Sequence, residues 1–184
     1  MPEFRLPEIP EESQAILDTV VPPPARPPLL YQAMGANPDV LRGYAERPIL
    51  GLHGLLHTGR LDPADRELVI LRLTARKRAE HEWGVHVAYF GKMSGLTSNQ
   101  VAATVTDETP DPNWTDRQRA IITIADAVAD QRPFTDAEDE FVRTRLDDPD
   151  RVEFLSIASL YLGISALCLV LEIPREPGAP AFPA

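Results

Sequence analysis

Residues 62–96 read DPADRELVILRLTARKRAEHEWGVHVAYFGKMSGL, and this stretch decides the fold. Its apolar residues recur every three or four positions, which is typical of amphipathic helices. Asp62 and Pro63 form a helix start signal, with Asp62 at the N-cap and Pro63 at the first helical position. The pattern predicts one helix to about residue 78 and a second from Ala79 to Met93, ending near Gly95.

The rest of the chain between its two ends also reads as helix. Asn37-Pro38-Asp39 opens a helical segment that Pro48 divides or kinks, and Thr97, Thr115 and Thr135 each precede a further helical pattern. A last long helix is predicted over about residues 150–171. Most β-branched residues fall inside these helical patterns, and we find no convincing strand. The sequence therefore predicts an all-α helical bundle.

Composition restricts the partners. The 184 residues are 43% hydrophobic, which is enough for one globular core. The formal net charge is −10, which argues against nucleic acids and anionic membranes as partners, because both attract basic surfaces. A small anionic substrate remains compatible with this charge, since a few local arginines can bind it.

The single cysteine and the apolar runs indicate a cytoplasmic protein. Cys168 lies in an apolar run, so we expect a buried, inert thiol and no internal disulfide. The acidic, proline-broken N-terminus is unlike a signal peptide. The apolar run over residues 157–170 is too short to span a bilayer.

Proline placement predicts the domain organisation. The 19 prolines concentrate at the two ends of the chain, where proline opposes helix formation. We therefore expect a proline-rich N-terminal arm over residues 1–28, a helical domain over 29–173 and a non-helical tail over 174–184. The arm either lies along a neighbouring subunit or frays.

Three titratable residues lie on apolar helical faces within residues 62–96. Glu82 and His86 are i, i+4 neighbours on the second helix, and Glu67 lies on the first. A short connection would make the two helices antiparallel, so that Glu67 faces His86. Two carboxylates flanking an imidazole form a workable proton relay. The alternative is an exposed Glu82–His86 surface pair, with Glu67 helping to cap its own helix.

The same stretch resembles the carboxymuconolactone decarboxylase family, which also contains the alkylhydroperoxidase D-like proteins. The matching signature is R-E-L-x-I-L-R at residues 66–72, E-W-x-x-H-V at residues 82–87, and G-L at residues 95 and 96. Flanking segments agree with it, and the similarity covers about residues 29–173. The resemblance implies an alkylhydroperoxidase D-like helical bundle and a homo-oligomer, commonly a trimer or hexamer, with sites near subunit contacts.

One departure separates this chain from the peroxidase branch of that family. That branch carries C-x-x-C, then His after three further residues, with a Glu one helix upstream. Aligning its His with His86 places the two cysteines on Ala79 and Glu82, and the upstream Glu on Glu67. A dithiol peroxidase needs both thiols. We therefore expect no cysteine-based hydroperoxidase activity, and Glu-Trp at 82–83 is similar to the decarboxylase branch.

The resemblance to the decarboxylase branch implies cofactor-free acid–base chemistry on a small carboxylated lactone or related carbonyl compound. His86 is the candidate proton donor, and Glu82 and Glu67 would orient it and tune its pKa. Arg72 is a candidate for binding a substrate carboxylate, or a surface residue. The aromatic residues Trp83 and Tyr89 are candidate pocket walls, although aromatic side chains also fill cores.

Other interpretations stay open from sequence. The same groups would serve isomerisation or lactone opening. A metal site could draw on His53, His57, His81 and the residues above, but His57 suits a helix end and His81 lies on another face than His86, so we expect no metal. A non-catalytic helical oligomer that binds a small ligand is the remaining alternative.

Overall fold

Every regular element in the described part of the chain is a helix. The structure is a computed structural model that describes residues 6, 9–45, 54–106 and 113–183. In chain order the helices are α1 (Glu11–Val20), α2 (Leu29–Met34), α3 (Pro38–Ala45), α4 (Leu55–Thr58), α5 (Pro63–Arg76), α6 (Glu80–Ser94), α7 (Ser98–Ala103), α8 (Asp116–Ala129), α9 (Asp136–Arg143) and α10 (Asp148–Val170). The predicted all-α class is confirmed. Pro48, the predicted kink, lies outside the described residues.

The chain divides into two units. One comprises residues 1–59 with 172–176, and the other comprises 60–171 with 177–184. In the first unit α1 and α2 both pack against α3. The Glu176 carboxylate accepts a hydrogen bond from the first backbone N–H of α2, at Leu29, over 2.5 Å. A carboxylate there satisfies one of the free N–H groups that begin every helix.

Helix α1 lies inside the segment predicted as a proline-rich arm. The prolines pause between Pro10 and Pro22, and the intervening residues are free to form a helix. Leu17 on this helix is buried. Residues 21–28, where the prolines return, are non-helical as predicted, and so are residues 174–183 of the tail. The assignment of the two ends as separate arms stays a prediction.

In the second unit α5 is the central helix, packed against α6, α8 and α10. All eight residues from Glu67 to Thr74 are buried. A helix buried on all sides must carry any polar residue of its sequence into the interior. This is how Glu67 and Arg72 enter the core, which is otherwise made by apolar side chains of α5, α8 and α10 such as Leu71, Ile124 and Ile157.

The connection from α5 to α6 folds the two helices back on each other. Arg78 adopts the left-handed conformation, with φ 58°, and the N–H of Ala79 donates to the carbonyl of Thr74 over 2.9 Å. Gly95, with φ 68°, ends α6 as predicted. Asp62 occupies the N-cap of α5, but its side chain makes no capping hydrogen bond to the described residues.

Helix α10 agrees closely with the helix predicted over about residues 150–171, and it is longer than the apolar run of residues 157–170 that it contains. It has 23 residues, and by length and composition alone it is the one described helix that could cross a membrane. In this structure 44% of its apolar window is buried. Phe154, Ile157 and Ile164 form the side of α10 that packs into the core.

Candidate active site

The centre of the site is a short contact between α5 and α6. His86 Nδ1 lies 2.7 Å from Glu67 Oε2, and both side chains are almost fully buried. The antiparallel packing predicted from the short connection brings them together, so the predicted contact between Glu67 and His86 is confirmed. The other Glu67 oxygen, Oε1, accepts a hydrogen bond from Arg66 Nε over 3.1 Å.

The second carboxylate lies on the other side of the imidazole. His86 Nε2 is 3.6 Å from Oε1 of Glu82, one turn earlier on α6. Glu82 is 8% exposed and His86 4% exposed, so the alternative of an exposed surface pair is wrong. Because Glu67 holds Nδ1, the other ring nitrogen, Nε2, is the one that faces Glu82.

Burial and the two carboxylates act on the pKa of His86 in opposite directions. Burial alone would lower it, but the charge and hydrogen bond of Glu67, with a smaller contribution from Glu82, raise the pKa to about 9. For Glu67, burial raises the pKa, while His86 and Arg66 lower it, and the net shift is downward. The pair is therefore an imidazolium and a carboxylate at neutral pH.

Aromatic rings enclose the imidazole. The Phe90 ring lies 5.1 Å from the His86 ring on the same helix. The Tyr161 ring of α10 lies 5.0 Å away at 82°, in an edge-to-face arrangement. Tyr161 is 2% exposed, so this side of the imidazole is dry. The sequence analysis did not identify Tyr161, because no local sequence pattern shows that α10 packs against α6.

Arg72 is not brought to the imidazole. Its Nε and Nη2 donate to the two carboxylate oxygens of Asp126, over 2.7 and 3.0 Å. Nη1 also donates to the backbone carbonyl of Thr104 over 3.3 Å. Arg72 is buried rather than on the surface. This two-point pairing occupies the fork that a substrate carboxylate would need, so the arginine joins α5 to α8.

Trp83 and Tyr89 lie in different surroundings. Trp83 is buried, and its Nε1–H donates to Thr104 Oγ1 over 3.0 Å. Its ring packs edge-on against Phe182 of the tail, with 5.3 Å between centroids, and the Phe182 N–H donates to Glu80 Oε1 over 2.8 Å. Tyr89 is 64% exposed, so its position is unlike that of a wall of the buried cluster.

A second group of potential ligands lies beside the first. Nitrogen, oxygen and sulfur atoms of His81, Glu82 and Cys168 all lie within 4.8 Å of one another, and all three residues are buried. A tetrahedral zinc ion holds such atoms roughly 3.5 Å apart, given bond lengths of about 2.0–2.3 Å. The 4.8 Å value is an upper limit on these separations, and the group offers three of the four ligands of a closed zinc site. His53, another candidate ligand, lies outside the described residues, and His57 is exposed on α4.

Cys168 is nearer the site than its sequence position indicates. Its Sγ lies 4.0 Å from Glu82 Oε2. Burial, reinforced by the negative charge of Glu82, raises the pKa of the thiol far above its ordinary range. Because the thiolate is the reactive form, the raised pKa keeps this thiol protonated at neutral pH.

Comparison with known proteins agrees with this fold and signature. The sequence profile of the carboxymuconolactone decarboxylase family matches residues 43–127, which include all of α5 and α6. A search of curated proteins found no significant match.

Two crystal structures are similar to the fold. One is a protein of unknown function from Agrobacterium tumefaciens, for which a role as the antioxidant defence protein AhpD has been suggested. Its TM-score is 0.66 at 16% sequence identity, and the alignment covers 77% of this chain and 94% of that chain. The other is a cysteine-to-alanine variant of the debrominase Bmp8 in complex with 2,3,4-tribromopyrrole. Its TM-score is 0.68 at 14% sequence identity, and the alignment covers 90% of this chain and 86% of that chain. Profile, signature and fold coincide on the α5–α6 hairpin: residues 43–127 match the carboxymuconolactone decarboxylase family, and the fold is similar to that of AhpD-like helical proteins.

Proposed function

We propose that this protein is a cofactor-independent enzyme in which His86 donates a proton to a small carbonyl compound. The observation that carries the proposal is the buried imidazole held at Nδ1 by Glu67, with Nε2 directed at Glu82 across 3.6 Å. Perturbed, buried acid–base groups are typical of catalytic sites. The family includes enzymes, among them the decarboxylases that its name records.

The substrate class that we propose is a small carboxylated lactone. In the decarboxylation of such a compound the bond between the ring carbon and the carboxylate breaks, and CO2 leaves. The electron pair passes into the conjugated lactone, which becomes a dienolate. Transfer of the Nε2 proton of His86 to carbon completes the reaction, and solvent returns a proton to the imidazole by way of Glu82.

The ionisation of the site suits this step. An imidazolium with a pKa of about 9 is protonated at neutral pH and therefore ready to act as a general acid. Its positive charge also stabilises the dienolate that forms before proton transfer. Isomerisation of a related carbonyl compound would use the same proton transfer without loss of CO2.

The test is turnover of 4-carboxymuconolactone and related unsaturated lactone carboxylates, followed by ultraviolet absorbance and by deuterium incorporation from D2O. We expect His86→Gln to lower kcat at least about 100-fold, as is usual when a general acid is removed. His57→Gln, at an exposed histidine of α4, is the matched control and should leave kcat unchanged.

Circular dichroism separates loss of the proton donor from loss of the fold. If His86→Gln unfolds the protein, Glu82→Gln takes its place, because the longer 3.6 Å contact with the imidazole makes this change less disruptive. Wild-type turnover in both variants, or no turnover and no deuterium exchange with any of these compounds, would show that the proposed function is wrong.

A further inference from the structure

Ser165 of α10 has a fully buried side chain, with 0% exposure. Its hydroxyl oxygen has no hydrogen-bond partner among the residues that the structure describes. A buried polar group without a partner costs free energy, and native proteins rarely retain one unless it serves a ligand or water.

Ser13 of α1 is also buried without a partner in the described part of the chain, but several other hydroxyls in the helices bond to their own backbone. Ser156, on the same helix as Ser165, donates to the carbonyl of Val152 over 2.7 Å. Thr74 on α5 donates to the carbonyl of Ile70 over 2.9 Å. This bond to the preceding turn is the usual way for a serine or threonine to be satisfied within a helix. The hydroxyl of Ser165 does not make it.

The neighbours of Ser165 on α10 show which face of the helix it shares. Tyr161, Ser165 and Cys168 are spaced by four and three residues and so share one face of the helix. The Tyr161 ring contacts His86, and Cys168 Sγ lies 4.0 Å from Glu82 Oε2. Ser165 stands between them on this face of α10, which packs against α6.

We propose that Ser165 is a substrate-binding residue whose O–H donates to the carbonyl oxygen of the bound compound. This inference rests on the function proposed above and names a further feature of the substrate. The acceptor oxygen must lie within reach of both Ser165 and the Nε2 proton of His86, as the ring carbonyl of an unsaturated lactone does. When the lactone becomes a dienolate, the negative charge on that oxygen strengthens the hydrogen bond from Ser165.

The test compares Ser165→Ala with Ser156→Ala, which removes a hydroxyl from the same helix where it is satisfied by its own backbone. The probe is a saturated lactone carboxylate that cannot lose CO2, titrated by calorimetry. We expect Ser165→Ala to bind the probe roughly tenfold more weakly than the wild type, because it loses one hydrogen bond to the probe. Ser156→Ala should bind the probe with wild-type affinity. Equal affinity in the Ser165 variant, or no binding by the wild type, would overturn the inference.

A stability measurement without ligand supplies an independent readout. Because the hydroxyl of Ser165 lacks a hydrogen-bond partner among the described residues, Ser165→Ala should melt at the wild-type temperature or above it. A melting temperature lower than that of Ser156→Ala would show that the hydroxyl is already satisfied inside the protein, and the inference would be wrong. Binding of the probe without turnover would instead contradict the proposed function and leave the role of Ser165 intact.

Discussion

At the scale of single residues, His86 is defined by two carboxylates at unequal distances. Glu67 Oε2 lies 2.7 Å from Nδ1 and Glu82 Oε1 lies 3.6 Å from Nε2. Because a charge interaction weakens with distance, Glu67 should dominate the pKa of the imidazole. The unequal pair fixes Nδ1 and leaves Nε2 as the nitrogen that we propose to donate to the substrate.

Removing each carboxylate in turn tests this assignment. We expect Glu67→Gln to lower the pKa of His86 from about 9 further than Glu82→Gln does. The measurement is a pH titration of the histidine ring protons by NMR, and the chain has four histidines, so comparison with His86→Gln assigns the signal. A larger fall in the Glu82 variant would contradict the assignment.

The same pair makes stability depend on pH. The folded pKa of His86 is raised above its ordinary value of 6.5, so its stabilising contribution is complete below pH 6.5 and is lost as pH rises towards 9. The pKa of Glu67 is lowered, so its contribution is complete above its ordinary pKa of 4.5 and is lost as pH falls. Urea unfolding of the wild type should show both losses, and His86→Gln should lack the alkaline one.

Cys168 gives a third prediction at this scale. With the pKa of its thiol raised and no cysteine at 79 or 82, the protein should not consume alkyl hydroperoxides in the presence of a dithiol donor. Peroxide loss measured at neutral pH should match the rate of Cys168→Ala. Turnover well above that of the alanine variant would contradict this prediction.

At the scale of elements, the α5–α6 hairpin depends on how each helix ends. Gly95 ends α6 in the left-handed conformation, and a Cβ added there would meet no atom within 4 Å. Any effect of a substitution at this position therefore comes from the backbone. We expect Gly95→Ala to destabilise the protein by about 1 kcal/mol, since a left-handed conformation costs a residue with Cβ about that much.

Gly91, one turn earlier on α6, is the matched control. A Cβ at this position would make ordinary contact with Val87 at 3.9 Å, and the backbone is helical. Gly91→Ala should stabilise the protein by about 0.5–1 kcal/mol, because alanine favours helix over glycine. Chemical denaturation measures both variants, and a stable Gly95→Ala would show that the end of α6 tolerates another conformation.

At the scale of the whole molecule, the described surface includes an apolar stripe on α10. Val152, Leu155, Leu169 and Val170 are 37–82% exposed. Small residues at 159, 163 and 166 continue the same side of the helix, and none of these positions is charged. An uncharged apolar stripe can pair with its own copy in a symmetric dimer contact.

The homo-oligomer expected from the sequence therefore stays a prediction, and the apolar stripe on α10 is the surface that we expect to form the subunit contact. We expect Leu155→Glu to shift the protein to smaller species in size-exclusion chromatography with light scattering, since a buried unpaired carboxylate opposes association. Ala137→Glu, at an exposed position of α9, is the control and should leave the mass unchanged. A monomeric wild type would refute the prediction.

The sequence by itself determined the helical class, the helix starts and the glycine that ends α6, and it predicted the contact between Glu67 and His86 as one of two alternatives. These follow from local chemistry: apolar spacing, capping residues and a short connection. The local pattern did not predict α1, because proline content dominated the interpretation of the N-terminal segment.

The tertiary structure alone decided the other half of the site. Tyr161, Ser165 and Cys168 lie more than 70 residues from His86 along the chain, and the packing of α10 brings Tyr161 and Cys168 to the imidazole and its carboxylate. The packing of α5 against α8 also brings Arg72 into its ion pair with Asp126. No local pattern encodes such contacts, since they depend on which buried faces of distant helices meet in the core.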